Sequence, residues 1–193
     1  MPALRPVALT LVLIFAACSG GDGGGGGGEA LAGGDSEVIG AADEGIDGVQ
    51  AVRVADNTHT EAPVDYQLRP PAGGAHDPVW WNCGFYDEPV PDEHAVHSLE
   101  HGAVWLAYDP ALGAQDLDRL RALAPPDGKV LASPYPDLPA GAAVVATAWA
   151  RQLTVDDAAD ERLAAFVAQY MSGSQSPEAN APCSGTPLGE PLP

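Results

Sequence analysis

The chain has 193 residues, 46% hydrophobic and 18% charged, which suffices for one ordinary domain with tails but not for two large ones. Eight Lys and Arg stand against 27 Asp and Glu, a formal charge of -19. Such a surface repels phosphate backbones and anionic headgroups, so nucleic-acid binding and polybasic membrane docking are disfavoured, while cations, metal ions among them, are welcome.

Residues 1–17 have the plan of a secretory signal peptide. Arg5 precedes an almost unbroken apolar run from Val7 to Ala17, eleven residues that fall short of the roughly 20 needed to span a bilayer. Ala16-Ala17 before Cys18, followed by Ser19-Gly20, resembles a bacterial lipobox, with Phe15 where such boxes usually carry Leu. On that resemblance Cys18 is diacylated, becomes the mature N-terminus and anchors an exported protein to the outer face of the cell membrane.

Residues 18–48 read as a flexible acidic tether. Eight of the 23 glycines fall between Gly20 and Gly28, and the Gly-, Ala- and acid-rich stretch that follows keeps no apolar period. A globular domain over 49–184 comes next, and a disordered Pro-rich tail over 185–193 closes the chain.

Within the domain, Val49 to Ala55 alternates as a first strand, and Pro70 to Pro78, rich in Pro and Gly, forms a shaped loop. Asp92 is placed to cap a short helix through His101 that Gly102 terminates. Ala103 to Tyr108 reads as a buried strand, and Leu117, Leu120 and Ala124 mark a helix ending at Pro125-Pro126. Val130 to Ala132 and Ala142 to Trp149 are further strands, and the spacing predicts a helix between Asp156 and Met171. The expected fold is a single compact α+β domain with a small mixed sheet flanked by two or three helices.

Pro70-Pro71-Ala72-Gly73-Gly74-Ala75-His76, the heptad Val96 to Gly102 running into an apolar strand, Ser133-Pro134-Tyr135-Pro136 and Ala148-Trp149 together resemble domain-of-unknown-function family 3105. The likeness covers most of 50–184. It implies an exported or membrane-anchored bacterial protein and brings no settled activity.

Chemistry must come from the residues. All five histidines, His59, His76, His94, His97 and His101, lie between 59 and 101. His97 and His101, four apart on a helix, share a face as a chelating pair requires. Glu100 can add a carboxylate or orient an imidazole, and His76 on its loop is the natural third ligand, with water, His59 or His94 as a fourth. Imidazole with carboxylate suits Zn²⁺ or Cu²⁺. The plainer alternative has these histidines hydrogen-bonding loop carbonyls and buttressing the Pro-Gly segment.

His97-Ser98-Leu99-Glu100-His101 also matches the H-x-x-E-H string of inverzincin proteases, but it sits in the last turn before Gly102 rather than within a helix. Ser98 has no nucleophile elbow around it. Trp80, Trp81, Phe85 and Tyr86 read mainly as core. In an exported chain with Cys18 lipidated, Cys83 and Cys183 remain as an even pair and are expected to form a disulfide. The sequence points to an extracytoplasmic lipoprotein domain with a divalent metal site, serving metal homeostasis or delivery. The alternatives are a metal-dependent hydrolase with Glu100 as base and a non-catalytic interaction domain with structural histidines; no protein partner is legible.

Overall fold

Residues 103–108 organise the architecture because neither face of that segment carries a charged side chain, and its Trp105 and Tyr108 bury their polar tips in hydrogen bonds. The computed structural model describes residues 32–34, 36–42, 45–126, 128–186 and 188–192. Residues 1–17, which have the sequence plan of a signal peptide, Cys18 and the glycine tract lie outside the described residues. The strands are β1 (Ala32–Gly34), β2 (Ser36–Ala41), β3 (Gln50–Val54), β4 (Val64–Tyr66), β5 (Gly84–Phe85), β6 (Val104–Tyr108), β7 (Val130–Pro134), β8 (Val144–Ala148) and β9 (Arg151–Val155). The helices are α1 (Asp92–Glu100), α2 (Ala114–Leu123) and α3 (Arg162–Tyr170).

A mixed seven-stranded sheet runs in the order β2-β3-β9-β8-β6-β7-β5, and β1 pairs with β4 apart from it. β6 and β7 are parallel, with α2 as their crossover, whereas β6-β8, β8-β9, β9-β3 and β3-β2 are antiparallel. The expected α+β domain with a mixed sheet is therefore present, with three helices among the described residues.

Strand alternation divides the core in two. Val104, Leu106 and Tyr108 pack on one face of the sheet with Leu120 of α2 and Leu163, Phe166 and Tyr170 of α3. Trp105 and Ala107 point to the other face, where Val96 and Leu99 of α1 meet Cys83 and Cys183. With both faces covered, β6 is buried at all five positions, which explains its unbroken apolar sequence.

Several boundaries differ from the sequence expectation for identifiable reasons. β2 lies inside the stretch read as tether, and its burial runs from buried Ser36 to five exposed residues, so Val38 and Ile39 face solvent. Its place rests on ladder bonds to β3 rather than on an apolar face, so it carries no period. Pro91, not Asp92, is the N-cap of α1; the Asp92 carboxylate instead accepts from Tyr135 Oη at 3.2 Å and from Arg69 at 3.4 Å. α3 begins only at Arg162, because the Asp160 carboxylate accepts the Arg162 backbone N–H at 2.9 Å and its guanidinium. The C-terminal segment read as a loose tail is tied back, with Thr186 N–H donating to Asn82 Oδ1 at 3.1 Å and Leu192 bridging Phe85.

Gly102 sets the end of α1. Its φ of +88° is the left-handed terminator that the sequence predicts, and a Cβ there would stand 3.0 Å from both the Ala179 carbonyl oxygen and Ser172 Cα. Gly102→Ala is expected to cost at least about 1–2 kcal/mol from backbone conformation alone, with crowding added. Urea melts of the two proteins measure it; an unchanged midpoint would mean that the 172–179 segment moves aside freely.

Candidate metal centre

Helical spacing and loop geometry bring distant residues to one place. On α1 and its cap, the i, i+3, i+4 spacing of His97, Glu100 and His101 puts them on one face. The Pro-Gly loop returns along it through a parallel bridge between His59 and His76, in which Thr60 N–H donates to the His76 carbonyl at 2.7 Å and His76 N–H to that of Thr58 at 3.0 Å. His76 is fully buried, and His97, Glu100 and His101 are nearly so.

One donor atom from each of His59, His76, His97 and Glu100 lies within 4.8 Å of the other three. Three of the four are residues singled out from the sequence, and His59 is one of the two histidines named there as a fourth ligand. His101 stands outside this quartet but against it, its Nε2 3.0 Å from His97 Nε2. His94 does not join: its Nδ1 donates to the Val79 carbonyl at 2.6 Å, and its ring lies by Trp81.

The carbonyl bonds settle which nitrogen of each ring is available. A carbonyl oxygen only accepts, so the Nδ1 atoms of His76, His97 and His101 carry protons, donated to Gly74 at 2.8 Å, Asp77 at 2.7 Å and Pro182 at 2.7 Å. The bonds to Gly74 and Asp77 buttress the Pro-Gly loop, the bond to Pro182 ties His101 to the C-terminal segment, and all three leave Nε2 as the inward-facing nitrogen of each ring. Those Nε2 atoms face other acceptors. His97 Nε2 meets His101 Nε2 at 3.0 Å, and His76 Nε2 meets Glu100 Oε2 at 3.1 Å. Two acceptors at such distances require a cation between them, either a proton or a metal ion.

Charge and burial agree with this reading. Burial by itself raises Glu100, but in the metal-free protein a proton shared with His76 Nε2, the bond from Asn57 Nδ2 at 3.2 Å and the contact with His59 outweigh it and hold the carboxyl at about 2. Burial pushes His97 down to about 4, against its bond to the Asp77 carbonyl and reinforced by His101, His76 and His59. The centre thus holds an ionised carboxylate beside a neutral imidazole, the protonation states that ligation needs. His59 is 48% exposed and forms the open side. A neighbouring cleft of about 140 Å³ is lined by Asp56, Asn57 and Trp149.

A pH dependence follows for metal-free protein. His97 is depressed from 6.5 to about 4, so its contribution is complete above pH 6.5 and lost as pH falls to 4. Glu100, depressed from 4.5 to about 2, extends the loss across that lower window. Asp92 acts oppositely: raised by burial from 3.8 to about 6, its contribution is complete below pH 3.8 and lost as pH rises through 6. Asp92→Asn should therefore steepen the fall in melting temperature between pH 6 and 4 in chelator-treated protein. An equal slope in both proteins would contradict these assignments.

The surrounding residues complete the picture. Trp80 packs its ring 4.7 Å from that of His101 and 5.7 Å from that of His97, and Trp149 meets His76 edge-on at 6.0 Å. Ser98 Oγ donates to the Trp81 carbonyl at 2.7 Å, so its hydroxyl is engaged in structure. Cys83 and Cys183 form a disulfide on the same side of the sheet as α1.

The family model described as Protein of unknown function (DUF3105) matches residues 58–185, about two thirds of the chain. The chain belongs to that family. The DUF3105 segment contains all five histidines, Glu100 and both bonded cysteines. No curated protein and no solved structure shows a significant match.

Two participants were not legible in the sequence. Asn57 donates to Glu100, and Glu178 approaches His101 Nε2 at 3.6 Å. Neither sits in a motif. Glu178 reaches the centre because its backbone N–H donates to the Glu100 carbonyl at 3.0 Å, a contact made only in the folded chain.

Proposed function

We propose that this DUF3105 protein is an exported lipoprotein whose domain binds a divalent metal ion, Zn²⁺ or Cu²⁺, through the His59, His76, His97, His101 and Glu100 cluster, for metal homeostasis or delivery at the cell surface. The observation that carries the reading is the convergence of imidazole Nε2 atoms and a carboxylate on one another. Each of three buried imidazoles has its Nδ1 proton committed to a carbonyl while its Nε2 meets another acceptor, at 3.0 Å for His97 and His101 and 3.1 Å for His76 and Glu100. Histidines serving only as loop buttresses would have no need to converge on their second nitrogens. The ions suit the donor set, which lacks thioethers and thiols: both cysteines of the domain are bonded to each other. Metal analysis of protein purified without a polyhistidine tag tests this; chain free of metal and indifferent to added Zn²⁺ and Cu²⁺ would refute it.

Export has two supports. The disulfide is characteristic of an oxidising compartment, and the first 18 residues have the plan of a lipoprotein leader. Among the described residues no helix is long and apolar enough to cross a membrane. In this reading the attachment is lipid on Cys18, where the apolar run ends in Ala16-Ala17. Two acyl chains anchor stably where one binds only marginally. Cys18→Ala should move the protein from the membrane pellet to the soluble fraction. Mass analysis of an unmodified mature N-terminus elsewhere would overturn this part.

A further inference from the structure

Resting on the metal-binding reading above, we propose that the cluster holds two divalent cations rather than one: His59, His76 and Glu100 take the first, and His97, His101 and Glu178 take the second. The argument begins with reach. Two donors bound to one tetrahedral zinc at roughly 2.0–2.1 Å lie about 3.4 Å apart. His97 lies within 4.8 Å of His59, His76 and Glu100, but the shortest donor contacts in the cluster fall near that value in two groups that share no residue. His76 Nε2 and His59 Nε2 stand 3.1 and 3.5 Å from Glu100 Oε2, and His97 Nε2 and Glu178 Oε2 stand 3.0 and 3.6 Å from His101 Nε2.

His97 decides the division. Its Nδ1 proton is given to the Asp77 carbonyl, so it has one lone pair and can serve only one ion. If that lone pair joined His76 and Glu100, the buried Nε2 of His101, fixed by the bond from its Nδ1 to Pro182, would lose its nearest neighbour in the cluster. Paired with His101, His97 completes a second position and leaves the first with three protein ligands.

The two positions then have the same composition. Each takes two imidazoles and one carboxylate, the ligand count of zinc sites that keep an open coordination position. Each also has one solvent-facing member, since His59 is 48% and Glu178 57% exposed while the other four are nearly buried. An ion could enter either half without opening the core. The Glu178 backbone is already held to the end of α1 through the Glu100 carbonyl, so only its side chain needs to adjust.

Zinc titration of the chelator-stripped full-length protein, followed by calorimetry and native mass spectrometry, tests the division. Wild type should bind two equivalents. Glu178→Gln, at an exposed side chain whose loss should leave the fold intact, should weaken one of them by about tenfold or more, and His101→Asn should remove it. His59→Ala should weaken the other and spare the second. With Cu²⁺ as probe, two equivalents should give the broadened electron paramagnetic resonance spectrum of neighbouring ions. One equivalent in wild type, unaffected by Glu178→Gln, would overturn the two-ion proposal and leave the metal site standing. No binding at all would overturn both. Two equivalents with the spectrum of isolated ions would place the second ion elsewhere and likewise overturn the proposal.

Discussion

Alanine at Cys83 or Cys183 is expected to lower the unfolding free energy by about 4.7 kcal/mol, the chain-entropy value for a cross-link closing a loop of the observed 100-residue separation. Small domains are stable by about 5–15 kcal/mol, so this loss would leave the protein marginal at growth temperature. Residual denatured-state structure reduces the figure, whereas two further features add to it. Both cysteines are almost fully buried in the α1-side core, so truncation also opens space there. Cys83 N–H donates to the Cys183 carbonyl at 2.7 Å, and this segment presents the Pro182 carbonyl that fixes the tautomer of His101. The variant should therefore lose metal affinity on the His101 side as well as stability. Urea melts with and without a phosphine reductant check this: reduction should shift the wild type strongly and the alanine variants hardly at all. Wild type insensitive to reduction would mean that packing, not the cross-link, holds the C-terminal segment.

Zinc at 100 times its dissociation constant should stabilise wild-type protein by about 2.7 kcal/mol for each ion bound, some 5–10 °C in melting temperature per ion for a domain of this size. His76→Ala should abolish that increment on its side of the cluster. Its ring is completely buried, bonded at both nitrogens and edge-on to Trp149, so removal leaves the Glu100 carboxylate without its closest partner. His97→Ala should abolish binding on the other side while leaving His101 Nε2 unmatched. Both substitutions also cost stability without metal, so the informative quantity is the zinc-induced shift of each variant measured against its own metal-free baseline. His94→Ala is the control. It lies off the shared face and bonds to Val79, and it should retain the full zinc increment. A His76→Ala or His97→Ala protein with an undiminished increment would remove that residue from the ligand set.

Local signals settled a good deal. The i,i+4 histidines and Glu100 were legible because helix periodicity places them on one face whatever surrounds them. The strand at β6 and the terminator at Gly102 were legible for similar reasons: a run of apolar residues needs burial on both sides, and a left-handed residue after a helix favours glycine. His76 was a reasonable third ligand from its place on a Pro-Gly loop, but its meeting with Glu100 depends on how that loop crosses α1.

What only tertiary structure decided are contacts whose stabilisation comes from backbone pairing or from a single polar side chain. β2 joins the sheet through ladder bonds while exposing Val38 and Ile39, so no hydrophobic pattern announces it. The C-terminal segment joins through Asn82, Leu192 and the disulfide, and proline content conceals such anchoring. Glu178 and Asn57 reach the cluster by the same kind of long-range contact. Which imidazole nitrogen faces inward is likewise a tertiary fact for His97 and His101, because it is set by the carbonyls of Asp77 and Pro182 from other parts of the chain, whereas His76 is fixed by Gly74 on its own loop. Residue type and spacing determined which side chains could bind metal; the orientation of their lone pairs required the folded loops, since a hydrogen bond to a carbonyl fixes a tautomer only when both groups are held in place.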